Sequence, residues 1–243
     1  MDTWHGKALT VTIPCAIAGV AQQIWVGHEQ GAILVDVGDG ALRDLLDSDL
    51  KLDLIEGLLF THGHYDHVGG LHSLLGFMRM KGRTDALQII GPRGCNELNA
   101  IVETFTRCYP ESTPFTILRT DVTDRQKLEV AGMTVQPYDV MHCGSIEGSG
   151  QLDRIPAVGY RISRGDETVA ISGDTGLCPS LQELVAGADL AVIEATFPDD
   201  FNVGQDILDN VHLNEKLARE VGKLAREYIL VHRIPRRDKR REP

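Results

Sequence analysis

The chain has 243 residues, 42% of them hydrophobic and 24% charged, with a formal net charge of −11. That composition is ordinary for a globular protein with a sizeable core, and its acidic balance argues against a broad nucleic-acid-binding surface, a local basic patch aside. No apolar run is long enough to cross a bilayer.

In chain order, residues 8–20 and 23–37 read as strands, with Gly31 marking a turn inside the second stretch. Pro14 and polar flanks make the first stretch strand rather than export signal, and Met1–His5 lacks a basic start. Gly38-Asp39-Gly40 is a turn and 42–50 a short helix. The apolar run 54–60 reads as a buried strand. Helices are expected over 71–81 and 96–108, with a strand at 87–90 between them. Strands follow at 116–118, 126–130, 134–141, 158–163 and 168–172. A helix at 180–186, a buried strand at 190–194, an amphipathic helix at 214–227 and a strand at 228–232 complete the pattern. Interleaved strands and helices in both halves predict an α/β protein, two sheets covered by helices on their outer faces. No linker separates the halves, so 1–243 is expected to form a single domain, with a basic tail at about 233–243. Five cysteines without a CxxC pair (Cys15, Cys95, Cys108, Cys143 and Cys178) predict reduced thiols and a cytoplasmic protein.

The run Thr61-His62-Gly63-His64-Tyr65-Asp66-His67 carries the chemistry. Three imidazoles and a carboxylate in one tight turn match the ligand preferences of Zn²⁺ and similar divalent ions, and core packing gives no reason for such a spacing. The turn follows a strand, where open α/β sheets place their ligand sites. Three later residues share that context: His142 after the strand 134–141, Asp174 in Ser172-Gly173-Asp174-Thr175, and His232 at the end of Tyr228–His232. The set suits two metals, each with three terminal ligands and a shared carboxylate.

With these residues in this order, the chain resembles the metallo-β-lactamase-fold superfamily, from Asp36-Val37-Gly38 to His232. The resemblance implies a four-layer αββα sandwich. It also implies one metal on His62, His64 and His142, a second on Asp66, His67 and His232, and Asp174 bridging them. A hydroxide between the metals would be the nucleophile, with Asp66 orienting it by a hydrogen bond. Zinc is the default metal; Mn²⁺ or Fe would suit the aspartates. Asp36 would brace the ligand loops or simply form a turn.

Within that superfamily, Gly159-Tyr160-Arg161-Ile162, Ser172-Gly173-Asp174-Thr175 and Glu194-Ala195-Thr196-Phe197, followed by His212, resemble ribonuclease Z and related phosphodiesterases. The resemblance implies that Glu194 and His212 protonate the leaving oxygen. The expected activity is that of a dinuclear phosphodiesterase acting on a small-molecule or nucleotide phosphodiester. Hydrolysis of a carboxylic ester, thioester, lactone or lactam is the alternative, with tRNA 3′ processing or metal binding without catalysis behind it. RNA is not favoured as a partner. Ile193, Leu213, Asn214 and Tyr65 depart from the ribonuclease Z pattern, and only the short segment 163–170 separates two core motifs. The basic residues Arg233, Arg236, Arg237, Lys239, Arg240 and Arg241 could contact phosphates but read more simply as a solvated terminus. No membrane partner is expected, and a homodimer is left open. Cys143 and Cys178 lie near the ligands and read as small packing residues, and residues 144–150 as a flexible loop beside the site.

Overall fold

The computed structural model describes residues 1–145 and 152–235. Two sheets form its centre. The first has seven strands in sequential order: β1 (Asp2–His5), β2 (Thr10–Ile17), β3 (Ala21–His28), β4 (Gly31–Val35), β5 (Ile55–Leu59), β6 (Leu87–Pro92) and β7 (Ile117–Val122). β1 to β4 form an antiparallel meander, and β4 to β7 run parallel. The second sheet uses β8 (Leu128–Val130), β9 (Met133–Asp139), β12 (Val158–Arg164), β13 (Glu167–Ile171), β14 (Leu190–Glu194) and β15 (Glu227–Val231), in the order β15-β14-β13-β12-β9-β8. Its β13, β14 and β15 are parallel and the remaining pairs antiparallel. A small hairpin of β10 (Cys143–Ser145) and β11 (Leu152–Arg154) stands apart. The flexible-loop reading falls largely on residues 146–151, outside the described residues, as does the tail beyond residue 235.

The layering follows from where the apolar side chains go. One buried cluster lies between the sheets and joins Val11, Ile24, Ile33 and Val35 of the first to Val135, Tyr160, Ile171 and Val192 of the second. The opposite face of the first sheet packs Leu34, Leu58 and Ile89 under α1 (Ala41–Leu46), α3 (Leu71–Met80) and α4 (Asn96–Cys108). On the outer face of the second sheet, Ala170, Ala191 and Ile193 lie beneath α5 (Pro179–Val185) and α7 (Glu215–Gly222). Strands covered on both faces need near-continuous apolar runs, which is why β4, β5 and β14 read as such in the sequence. The result is the expected four-layer αββα sandwich. Tyr160 pins the two sheets together: its hydroxyl donates to the Phe60 carbonyl at 2.8 Å inside the core. Among the described residues, no helix is long and apolar enough to cross a membrane.

Several elements differ from the sequence reading. β1 carries no apolar alternation, and pairing with β2 alone makes it a strand. The one-turn α2 (Tyr65–Val68) stands where a loop was expected, and α6 (Gln205–Asn210) lies in a stretch without helical periodicity. The helix expected over 214–227 stops at Gly222 because the chain must turn back into β15. A Cβ at Gly222 would come within 2.6 Å of the Tyr228 ring, so the close return needs glycine.

Candidate metal centre

The site forms at the C-terminal ends of the parallel strands, where the two sheets meet. Beyond β5 the chain gives up sheet pairing, and His64 enters α2 in an extended conformation (φ −64°, ψ 150°). The single turn that follows sorts the motif by face. Asp66 and His67 turn inward, 5% and 0% exposed, while Tyr65 faces solvent at 65%.

Among the described residues, three groups of ligand-capable side chains have their ligand atoms within 4.8 Å of one another: Glu194, His212 and His232 form one, and the expected ligands form the other two, His62, His64, His142 and Asp174 in the first, Asp66, His67, Asp174 and His232 in the second. Asp174 belongs to both of the latter. Its Oδ2 lies 3.8 Å from His62 Nε2 and 3.3 Å from His67 Nε2. His142 Nε2 faces His64 Nδ1 at 3.2 Å, and His232 Nε2 faces Asp66 Oδ2 at 3.2 Å. All seven residues expected as ligands therefore converge.

The arrangement fits cations better than it fits itself. His62 Nε2, His67 Nε2 and Asp174 Oδ1 are buried with no hydrogen-bond partner, and orphaned buried polar atoms are costly. Burial, reinforced by neighbouring imidazoles, pushes His62 well below the usual histidine range. Burial lowers His64 as well and takes His142 to about 3. These three are neutral imidazoles, the form that ligates metal. Burial works against His67 too, but Asp174 and Asp36 hold it well above the usual range. Asp174 stays ionised despite its burial because His232 and His67 flank it. Asp66, likewise buried, is held down by its bond to His232. A cation in the second group would take the place of the proton on His67.

Outer partners fix which nitrogen each ring presents. Carbonyls and carboxylates only accept, so His142 Nδ1 donates to Val211 O at 2.8 Å and His67 Nδ1 to Asp36 Oδ2 at 2.8 Å. Their Nε2 atoms are left for metal. Asp36, fully buried, also accepts from the Thr61 backbone N–H at 2.8 Å, the Thr61 hydroxyl and Gln22 Nε2 at 3.0 Å. Its φ of 60° lies in the left-handed region, which Asp tolerates better than most residues. Of the two roles considered for Asp36, the structure shows the brace. Thr61, Thr196 and Gln22 were given no role from sequence. Side-chain hydroxyls beside the ligands were the only available signal for the threonines, and Gln22 offered none.

Glu194 is fully buried at the end of β14. It accepts from the backbone N–H groups of Thr175, Leu213 and Thr196, from the Thr196 hydroxyl at 2.8 Å, and from His212 Nδ1 at 3.0 Å. Burial alone would lower His212, but Glu194 lifts it to about 9. Its Nδ1 also lies 3.9 Å from Asp174 Oδ2. Asn214 caps α7, accepting from Leu217 N, whereas His212 sits in the connection before it rather than in a capping position. Cys143, Cys178, His5, His28 and His72 join none of the three groups. Arg233 lies against Glu215 at 3.7 Å.

Comparison with known proteins agrees with this geometry. The family model described as a beta-lactamase superfamily domain matches residues 32–232. Ribonuclease Z of Saccharolobus islandicus (strain L.S.2.15 / Lassen #1) is 28% identical over 239 residues, covering 84% of this chain and 79% of that protein. Among solved structures, the short form of human tRNase Z superposes with a TM-score of 0.76 at 22% identity, over 93% of each chain. A diphosphatase of the PhnP family superposes with a TM-score of 0.69 at 17% identity, over 97% of this chain and 91% of the other.

Proposed function

The chain belongs to the beta-lactamase superfamily, and from that premise we propose that this metal-dependent hydrolase cleaves a phosphodiester with the help of two divalent cations. His62, His64 and His142 would hold one, Asp66, His67 and His232 the other, with Asp174 between them; zinc suits this donor set. Cations held there would make bound water a nucleophile near neutral pH and offset charge on the phosphoryl oxygens. Relatives named ribonuclease Z support a phosphodiester substrate, and a diphosphatase of the same fold shows that the scaffold also serves phosphoryl compounds other than RNA.

The observation that carries the reading is the Glu194–His212 pair beside Asp174. With Nδ1 committed to Glu194, Nε2 is the nitrogen left to meet substrate. Glu194 favours the protonated ring, lifting it against burial to about 9. A departing alkoxide needs a proton, and an imidazolium at this position supplies it. Hydrolysis of an ester whose leaving group is already a stable anion has less need of such an acid. Asp66, anchored by the Gly19 N–H at 3.0 Å, is placed to accept a hydrogen bond from the attacking oxygen.

The test is His212→Ala, assayed on phosphodiesters, lactones, thioesters and lactams alongside metal analysis. Phosphodiester turnover is expected to fall about 10²–10⁴-fold with metal content unchanged. Unchanged phosphodiester turnover in the variant, or activity of the unaltered protein confined to carboxylic substrates, would refute the reading.

A further inference from the structure

The flank of the site beside His212 is aromatic and acidic. Phe197 meets the His212 ring edge-on, with centroids 6.0 Å apart and planes at 77°. Phe201 stacks on Phe197 at 6.4 Å with planes at 24° and leaves 55% of its surface exposed. Between Phe197 and His212 the chain carries Asp199, Asp200, Asp206 and Asp209 and neither lysine nor arginine. The arginines packed against this segment are committed: Arg219 pairs with Asp199 and Glu215, and Arg233 faces Glu215.

We propose that this flank seats the leaving group of the substrate and selects an uncharged aromatic alcohol, such as a nucleoside, which stacks on Phe201. The inference rests on the phosphodiesterase reading, since it is His212 that marks the leaving-group side. Attack on phosphorus breaks the P–O bond to that alcohol, and the departing oxygen takes the His212 proton. The phosphoryl product keeps the oxygen of water. An exposed phenyl ring offers every base a face to stack on. A polynucleotide leaving group would instead bring a row of phosphates against an acidic segment whose neighbouring arginines, among the described residues, are already paired with carboxylates, which disfavours it.

The experiment compares the metal-loaded protein with Phe201→Ala and Phe201→Trp. The first measurement is hydrolysis of bis(p-nitrophenyl) phosphate. The second is direct calorimetric binding of adenosine, of ribose and of inorganic phosphate. Adenosine is expected to bind and ribose not. Phe201→Ala is expected to weaken adenosine about tenfold and to raise KM for the aryl diester by a similar factor, with kcat and phosphate binding unchanged. Phe201→Trp should restore both. Absence of adenosine binding, or equal binding by Phe201→Ala, would overturn the proposal while leaving the hydrolase reading intact. So would faster turnover of RNA with a long 3′ extension, insensitive to Phe201→Ala. No phosphodiester turnover by the unaltered protein would instead refute the underlying reading, and adenosine binding would then judge the platform on its own.

Discussion

Asp36→Asn removes one charge and replaces one acceptor oxygen by a donor, at a carboxylate to which every neighbour donates. Thr61 N–H and hydroxyl, Gln22 Nε2 and His67 Nδ1 all point at it. An asparagine keeps its oxygen toward Thr61 only by turning its NH₂ toward His67. His67 then becomes the acceptor at Nδ1 and carries its proton on Nε2, the atom that faces Asp174 and Asp66. That tautomer cannot ligate. The cost falls in the range for loss of a ligand's hydrogen-bonding partner, about 10–100-fold in metal affinity, or about 1.4–2.7 kcal/mol. It should fall mainly on the second group, because His142 takes its orientation from Val211 O and His62 Nδ1 meets the Thr61 hydroxyl, which the asparagine oxygen still accepts from, rather than Asp36 itself. Calorimetric zinc titration of metal-free protein, with circular dichroism to confirm folding, should show one site weakened and the other nearly unchanged. Equal weakening of both sites would make Asp36 a general brace of the fold and refute the tautomer argument; unchanged affinity at both would refute it outright.

Glu194→Gln should lower phosphodiester turnover and move its alkaline limb downward. His212 at about 9 lies above the ordinary histidine value, so its charge, and the stability it lends, are fully present below about 6.5 and lost as pH rises through about 9. Neighbouring cations will pull that limb below 9, and the variant should take it below the ordinary histidine value in a pH–rate profile, because burial then prevails. Chelation should abolish turnover, and zinc should restore it. Free zinc at a hundred times its dissociation constant should stabilise the fold by about 2.7 kcal/mol per site, read as a rise in melting temperature. Glu167→Gln tests a brace far from the chemistry. Its carboxylate accepts from the backbone N–H groups of Lys7, Ala8 and Leu9 at 2.6–2.8 Å. Denaturant unfolding should show a loss of about 1–3 kcal/mol with kcat unchanged.

The layered architecture was legible because doubly covered strands must be nearly continuously apolar, and β4, β5 and β14 are, with Glu56 and the terminal Glu194 the exceptions. What escaped was held by partners rather than by pattern. β1 is a polar edge strand held by its register with β2, Trp4 opposite Val11, and by the Trp4 ring, which packs on the core and donates to Glu227. α2 is a single turn, too short for periodicity to register, yet it is what sends Asp66 and His67 inward while leaving Tyr65 outside. α6 places Val211, whose carbonyl orients His142, and nothing local in Gln205–Asn210 announces that task. The end of α7 was misplaced because helical propensity continues past Gly222, and only the packing of Tyr228 against that glycine stops it.

The convergence of the seven candidate ligands was legible for a different reason: metal ligation would restrict residue type at every position, so the identities stand in the sequence even though the distances do not. The hydroxyls that orient those ligands carry no such signature, and one of them joins the two halves of the site. Thr196 Oγ1 has one proton, and Glu194 Oε2 at 2.8 Å can only accept it. The same hydroxyl oxygen lies 3.0 Å from His232 Nδ1, so His232 must be the donor there, which leaves Nε2 as the nitrogen that faces Asp66 and would meet a cation in place of its proton. Glu194 therefore sets the protonation of His212 directly and the tautomer of His232 through a single hydroxyl. On the proposed mechanism, a carboxylate that touches no metal-facing atom would thereby govern both the proton given to the leaving group and a nitrogen that must stay free for metal.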